Sequence, residues 1–188
     1  VLEDMARLAA DQIVFAGDLC LVGPRPAACV HRLQRNQGLN LYGNTDDWVL
    51  GRQEPPSKLA SLADWMLAQL SADQRSWLDA LPFAHRISRK GVASDDLLIV
   101  HANPVDVNQI IFPAQEEQVA LYGRVRQTDD ELAELVANTK AGAIAFGHLH
   151  IPNERRWQQL KLFNISSVSM RGDGDARAKY GLLSWDGQ

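Results

Sequence analysis

The sequence predicts an α/β fold, and two observations carry that expectation. Short apolar runs of about four residues alternate with segments whose apolar side chains recur at helical spacing. Four of the runs also end in polar tips, Gly17-Asp18, Gly43-Asn44, His101-Ala102-Asn103 and Gly147-His148-Leu149-His150. In α/β sheets ligands gather beyond the carboxyl ends of strands, so tips far apart in sequence can meet.

The elements follow in order. Leu2, Met5, Leu8 and Ala9 mark a first helix, and Ile13 to Ala16 a buried strand that ends at Gly17-Asp18. Gly23-Pro24-Arg25-Pro26 reads as a loop, Ala27, Val30 and Leu33 as an amphipathic helix, and Leu39 to Tyr42 as a second short strand. Pro55-Pro56 breaks the chain before a helix through Leu59, Leu62, Trp65, Met66 and Leu70. Ser71 with Gln74 forms a capping box for the next helix, with Trp77 and Leu78 on it. Strands are expected from Phe83 to Ile87 and from Leu97 to Val100, the latter closing on His101. A long loop with Pro104 and Pro113 follows, long enough to shape a substrate entrance. Thr128 with Glu131 opens another capped helix, which leads to the Ala143 to Phe146 strand. Leu160 to Val168 and Tyr180 to Trp185 read as closing strands around the turn Gly172 to Asp175.

Composition narrows the function classes. The 188 residues fit one domain, 1–188, and 46% hydrophobic content fills a substantial core. With 19 Lys plus Arg against 23 Asp plus Glu, the net charge is -4, so bulk binding to a phosphate backbone is disfavoured. A small anionic ligand fits that balance if a metal supplies local positive charge. No run reaches the roughly 18 apolar residues of a membrane span, so no membrane partner is expected. Cys20 and Cys29 have neither zinc-knuckle nor disulfide-framework spacing, which favours a reducing, cytoplasmic setting. No heptad or self-complementary stripe points to an oligomeric state.

Taken singly the tips are ordinary. A lone Gly-Asp or Asn-Thr-Asp is usually turn or cap chemistry, and a lone histidine usually sits satisfied at a core rim. His148 and His150 are less so, because strand positions i and i+2 share a face and can reach into one site. Carboxylate, amide and imidazole together favour a transition metal over calcium. His31 and His85 carry no role in this reading. Cys20 reads as a packing residue, and Arg25, Asn103 and Arg177 as structural unless they face a phosphate.

Gly17-Asp18, Gly43-Asn44-Thr45-Asp46, His101 and Gly147 to His150 followed by Pro152, in that order, resemble the calcineurin-like metallophosphoesterase superfamily, particularly its small bacterial and archaeal phosphodiesterase branch. The tail from Asn164 to Val168 and from Gly174 to Tyr180 is similar as well. The resemblance implies a four-layer α/β/β/α sandwich with two mixed sheets. It implies a binuclear site in which Asp18 bridges two divalent ions, Asn44, His101 and His148 complete one shell, and His150 binds the other ion. Manganese is the ion expected first, with iron, zinc or nickel also accepted. Two ions about 3.5–4 Å apart would hold a bridging hydroxide for in-line attack on a small phosphoester or nucleotide, with Asn44 and His148 in the catalytic set.

Two departures from the family pattern matter. The family's opening D-x-H strand has no counterpart here; Val1 aligns with the helix after it, so the sequence is expected to start roughly twenty residues late, one strand plus its loop. Thr45 stands where many members carry a histidine that contacts phosphate and protonates the leaving group, and threonine cannot donate a proton at neutral pH. The expected activity is therefore phosphoester hydrolysis, phosphodiesters ahead of monoesters. The alternative is a non-catalytic metal- or nucleotide-binding relative with an incomplete first site.

Overall fold

The computed structural model describes residues 2–36, 38–88 and 91–184. The chain runs α1 (Leu2–Arg7), β1 (Val14–Ala16), α2 (Pro26–Arg35), β2 (Leu39–Leu41), α3 (Asn44–Val49), α4 (Ala60–Gln69) and α5 (Ala72–Asp79). It continues through β3 (Ala84–Ile87), β4 (Leu97–Val100), α6 (Gln115–Tyr122), α7 (Asp129–Val136), β5 (Ala143–Phe146), β6 (Asn153–Trp157) and β7 (Leu160–Asn164). Two sheets form. β1 and β2 pair in parallel, and a mixed five-stranded sheet has the order β3-β4-β5-β7-β6.

Strand alternation decides which side chains fill which layer. Val14 and Ala16 of β1, Leu41 of β2, Leu97 and Ile99 of β4, and Ala143 and Ala145 of β5 pack together between the sheets. The intervening residues face outward. Phe15 joins Val30, Leu33, Met66 and Leu78 from the helices behind the small sheet. Leu98, Val100, Ile144, Phe146 and Leu162 pack with Leu132 and Val136 of α7 behind the large one. This is the helix, sheet, sheet, helix layering expected, and strands apolar on both faces follow from burial on both sides. Three alanines in the inter-sheet layer let the sheets approach closely; enlarging Ala145 would overpack it by about 1–3 kcal/mol.

Both capping boxes form. Ser71 Oγ accepts from Gln74 N at 3.2 Å and Thr128 Oγ1 from Glu131 N at 3.2 Å, with Gln74 and Glu131 reaching back to the cap N–H groups. Three elements go beyond the sequence reading. α3 begins at Asn44 itself, α6 lies in the segment expected to be loop, and β6 pairs antiparallel with β7. The closing strand expected from Tyr180 is irregular through residue 184, and its last residue, Trp185, lies outside the described residues.

The long segment after β4 is ordered by buried polar side chains. Gln118 is completely buried, donates to the carbonyls of Pro113 (2.8 Å) and Gln127 (3.0 Å), and accepts from Arg126 N (2.7 Å) and Gln127 N (2.9 Å). Gln127 in turn donates to Ile110 O and accepts from Phe112 N. Arg155 of β6 donates to the carbonyls of Phe112 and Pro113 and pairs with Asp129. These bonds satisfy backbone groups that a buried loop leaves open. No helix among the described residues is long and apolar enough to cross a membrane.

Candidate metal centre

The tips of β1, β2, β4 and β5 meet at one end of the two sheets. His101 Nε2 lies 3.0 Å from Asn44 Oδ1, 3.1 Å from His148 Nδ1 and 3.3 Å from Asp18 Oδ1. One ligand atom each from Asp18, His101 and His148 falls within 4.8 Å of the others. Asp18 and Asn44 come from the small sheet, His101 and His148 from the large one.

Glycine makes the approach possible. At Gly17, with φ +89°, a Cβ would meet His101 Nδ1 at 2.7 Å and Gly43 N at 2.8 Å; at Gly43 it would meet the Asp18 carboxylate, Asp18 N at 2.6 Å and His101 Cε1 at 2.8 Å. Asp18, His148 and His150 themselves hold left-handed conformations, φ 57°, 59° and 61°. Such geometry costs on the order of 1 kcal/mol or more per residue, and backbone strain of this kind collects at functional sites.

The remaining ring nitrogens fix the tautomers. His101 Nδ1 is 2.7 Å from Ala16 O, and His148 Nε2 is 2.9 Å from Asn108 O. A carbonyl only accepts, so both of those nitrogens carry the proton. With each ring carrying that one proton, His101 Nε2 and His148 Nδ1 present lone pairs to each other, beside two acceptor oxygens. Crowding four acceptors without a shared proton is unfavourable, and a divalent cation relieves it. The donor set, two imidazoles, a carboxylate and an amide carbonyl, suits a transition metal, and each histidine has the outer-shell carbonyl typical of a ligand. Burial, and after it the nearness of a second imidazole at His101, pushes His148 down to about 4, which keeps its imidazole neutral. His150 stands outside this group; burial first lowers it, while Asp18 works in the opposite direction.

Residues without a role in the sequence reading hold the tips in place. Asp46, completely buried, accepts from Leu19 N at 3.0 Å, Gly43 N at 2.9 Å and Cys20 Sγ at 3.3 Å, tying the β1 tip to the β2 tip. Burial, then the charge of Asp18, pushes it up to about 6. Cys20 is buried with its thiol donating to Asp46, and burial followed by Asp46 pushes that thiol upward, as suits a packing residue. Asn164 donates to Gly147 O at 2.6 Å and accepts from Ser166 N, while Ser166 Oγ donates to His150 O at 3.1 Å. A carboxylate three residues after a tip glycine and an asparagine ending a strand were the available signals, and both look like ordinary caps in sequence.

Thr45 donates its N–H to Asp18 Oδ1 at 3.0 Å, but its hydroxyl is shielded and has no hydrogen-bond partner among the described residues. Asn103 is fully engaged: it accepts from Val105 N and Asp106 N and donates to Gln109 O, which shapes its own loop. Arg177 is exposed and paired with Asp175.

The model of the calcineurin-like phosphoesterase superfamily domain matches residues 1–188, and the chain belongs to that superfamily. It is 25% identical over 187 residues to an uncharacterized protein of Methanocaldococcus jannaschii, covering 96% of this chain and 74% of that one. Among solved structures, a metallophosphoesterase from Sphaerobacter thermophilus superposes with a TM-score of 0.67 at 22% identity, over 94% of this chain and 75% of that one. A hypothetical protein from Pyrococcus horikoshii OT3 gives 0.68 at 12% identity, over 89% and 70%. At these identities the two structures share the fold. The family implies divalent metal ions, and the cluster at the strand tips is where this chain could hold one.

Proposed function

We propose that the protein is a metal-dependent phosphoester hydrolase acting on small phosphodiesters or nucleotides in preference to monoesters. The observation that carries the reading is the convergence of the lone pairs of His101 Nε2 and His148 Nδ1 on Asp18 Oδ1 and Asn44 Oδ1. Asp18, Asn44, His101 and His148 would hold one divalent cation, and Asp18 with His150 would contribute to a second; manganese is proposed, with iron, zinc or nickel acceptable to the same donors. Bound cations supply Lewis acidity, lowering the pKa of water toward about 7 and neutralising phosphate oxygens.

The chain's own residues do the remainder. The Thr45 N–H and the Gly43 approach fix the edge of the Asp18 carboxylate, and the Ala16 and Asn108 carbonyls fix the two imidazoles. With a shielded threonine hydroxyl where an acid would stand, substrates whose leaving groups need no protonation are favoured. Turnover of bis(p-nitrophenyl) phosphate and p-nitrophenyl phosphate with added manganese tests this: the diester should be cleaved faster, and faster monoester cleavage would reject the preference.

The position of His150 outside the four-residue group favours a second reading, a metal-binding relative without turnover. Elemental analysis beside the activity assay separates them. Bound metal with no hydrolysis of either ester supports the binding protein.

A further inference from the structure

The orientation of His148 depends on a chain of side chains that begins on α3. Asp47, buried and three residues after Asn44, accepts from Gln53 Nε2 at 3.0 Å. Gln53 Oε1 accepts from Asn108 Nδ2 at 2.9 Å, and the Asn108 carbonyl accepts from His148 Nε2 at 2.9 Å. The direction is forced. A carboxylate oxygen accepts, so the Gln53 amide must turn its NH2 to Asp47 and its oxygen to the loop, and only the Asn108 NH2 can answer it. Arg52 holds the other Asp47 oxygen at 3.0 Å, so the anchor is fixed.

Asn108 is exposed, and two bonds beyond its link to His148 restrain it: its N–H to Asp106 Oδ1 at 2.7 Å and its side chain to Gln53. Without the second, the peptide carbonyl keeps one restraint and can swing. His148 then loses the acceptor that keeps its proton on Nε2 and its lone pair on Nδ1.

We propose that Gln53 is a positioning residue of the metal centre, acting on His148 through Asn108. The proposal rests on the reading of Asp18, Asn44, His101 and His148 as that centre. Partners outside the ligand shell are typically worth 10–100-fold in metal affinity, and Gln53, one step further out, belongs at the low end, about tenfold.

The test uses metal-stripped whole chain, titrated with cobalt(II) and followed by visible absorption and calorimetry. Gln53→Ala and Asn108→Ala should each bind cobalt about tenfold more weakly than the unsubstituted protein, and the double variant no more weakly than either, because both cut one chain. Nitrogen-15 spectra of the imidazoles should show His148 protonated on Nε2 in the unsubstituted protein and a tautomer mixture in both variants. A purely structural role would leave the tautomer unchanged. Unchanged affinity in both variants, or losses that multiply in the double variant, overturns the relay and leaves the metal centre standing. Failure of the unsubstituted protein to bind cobalt overturns the metal centre, and the relay with it.

Discussion

His101 Nε2 and His148 Nδ1 face each other at 3.1 Å, each with its opposite ring nitrogen committed to a peptide carbonyl. Two β-strand tips from one sheet thus bring two ring nitrogens into contact, a relationship that a shared cation or proton would stabilise.

A cation that relieves this contact binds the folded state and not the unfolded chain. Manganese or cobalt at one hundred times its dissociation constant should therefore raise stability by about 2.7 kcal/mol, seen as a higher thermal midpoint. A chelator should remove the gain. Asp18→Asn and His148→Ala should show no metal-dependent rise, and hydrolysis should fall at least a hundredfold, about 2.7 kcal/mol in barrier.

Gly43→Ala places a methyl group against the Asp18 carboxylate and His101 Cε1. Separation of the sheet tips is the only relief. The variant should lose about 1–3 kcal/mol in denaturant unfolding, and metal affinity with it. A variant as stable as the parent would show that the tips are not in contact.

Thr45→Val removes a hydroxyl that makes no hydrogen bond to the described residues. Stability should be unchanged or slightly raised, since deleting a buried group without a partner is nearly neutral. Diester hydrolysis should also survive within about threefold, less than the 10²–10⁴-fold that general acid catalysis typically contributes. Loss of a hundredfold in turnover would assign the hydroxyl a direct role.

Gln118→Leu takes the side-chain partner from the Arg126 and Gln127 N–H groups and the Gln127 carbonyl, while the Pro113 carbonyl keeps Arg155. Each orphaned group costs about 1–3 kcal/mol where water cannot reach it. Hydrogen exchange should quicken across residues 105–128 ahead of the rest of the chain, and because Asn108 lies in that segment, metal affinity should weaken too.

Several elements were legible because their signals are local. Capping boxes at Ser71 and Thr128 specify hydrogen bonds three residues apart, and the runs 97–100 and 143–146 are apolar on both faces because both faces are covered. α3 was hidden because Asn44, Thr45 and Asp46 are poor helix formers in isolation, and the helix stands on Asp46 bonding across to the β1 tip. α6 was hidden because its apolar residues fall on no single face; Val119 and Leu121 are exposed, and the buried member is Gln118. β6, with the sequence Asn-Glu-Arg-Arg-Trp, carries no strand pattern of its own and is a strand because β7 supplies its partners.

The sequence by itself determined the chemistry of the candidate ligands and their order along the chain, because each strand's apolar run and the donor at its tip are neighbours in sequence. Tertiary structure decided the rest. Which nitrogen of His101 and His148 offers a lone pair depends on carbonyls 85 and 40 residues away. Whether His150 joins the other donors depends on the left-handed turn it shares with His148, and in this structure it stands apart from them. Tautomer and direction are properties of a three-dimensional hydrogen-bond network, and no local pattern of residues encodes them.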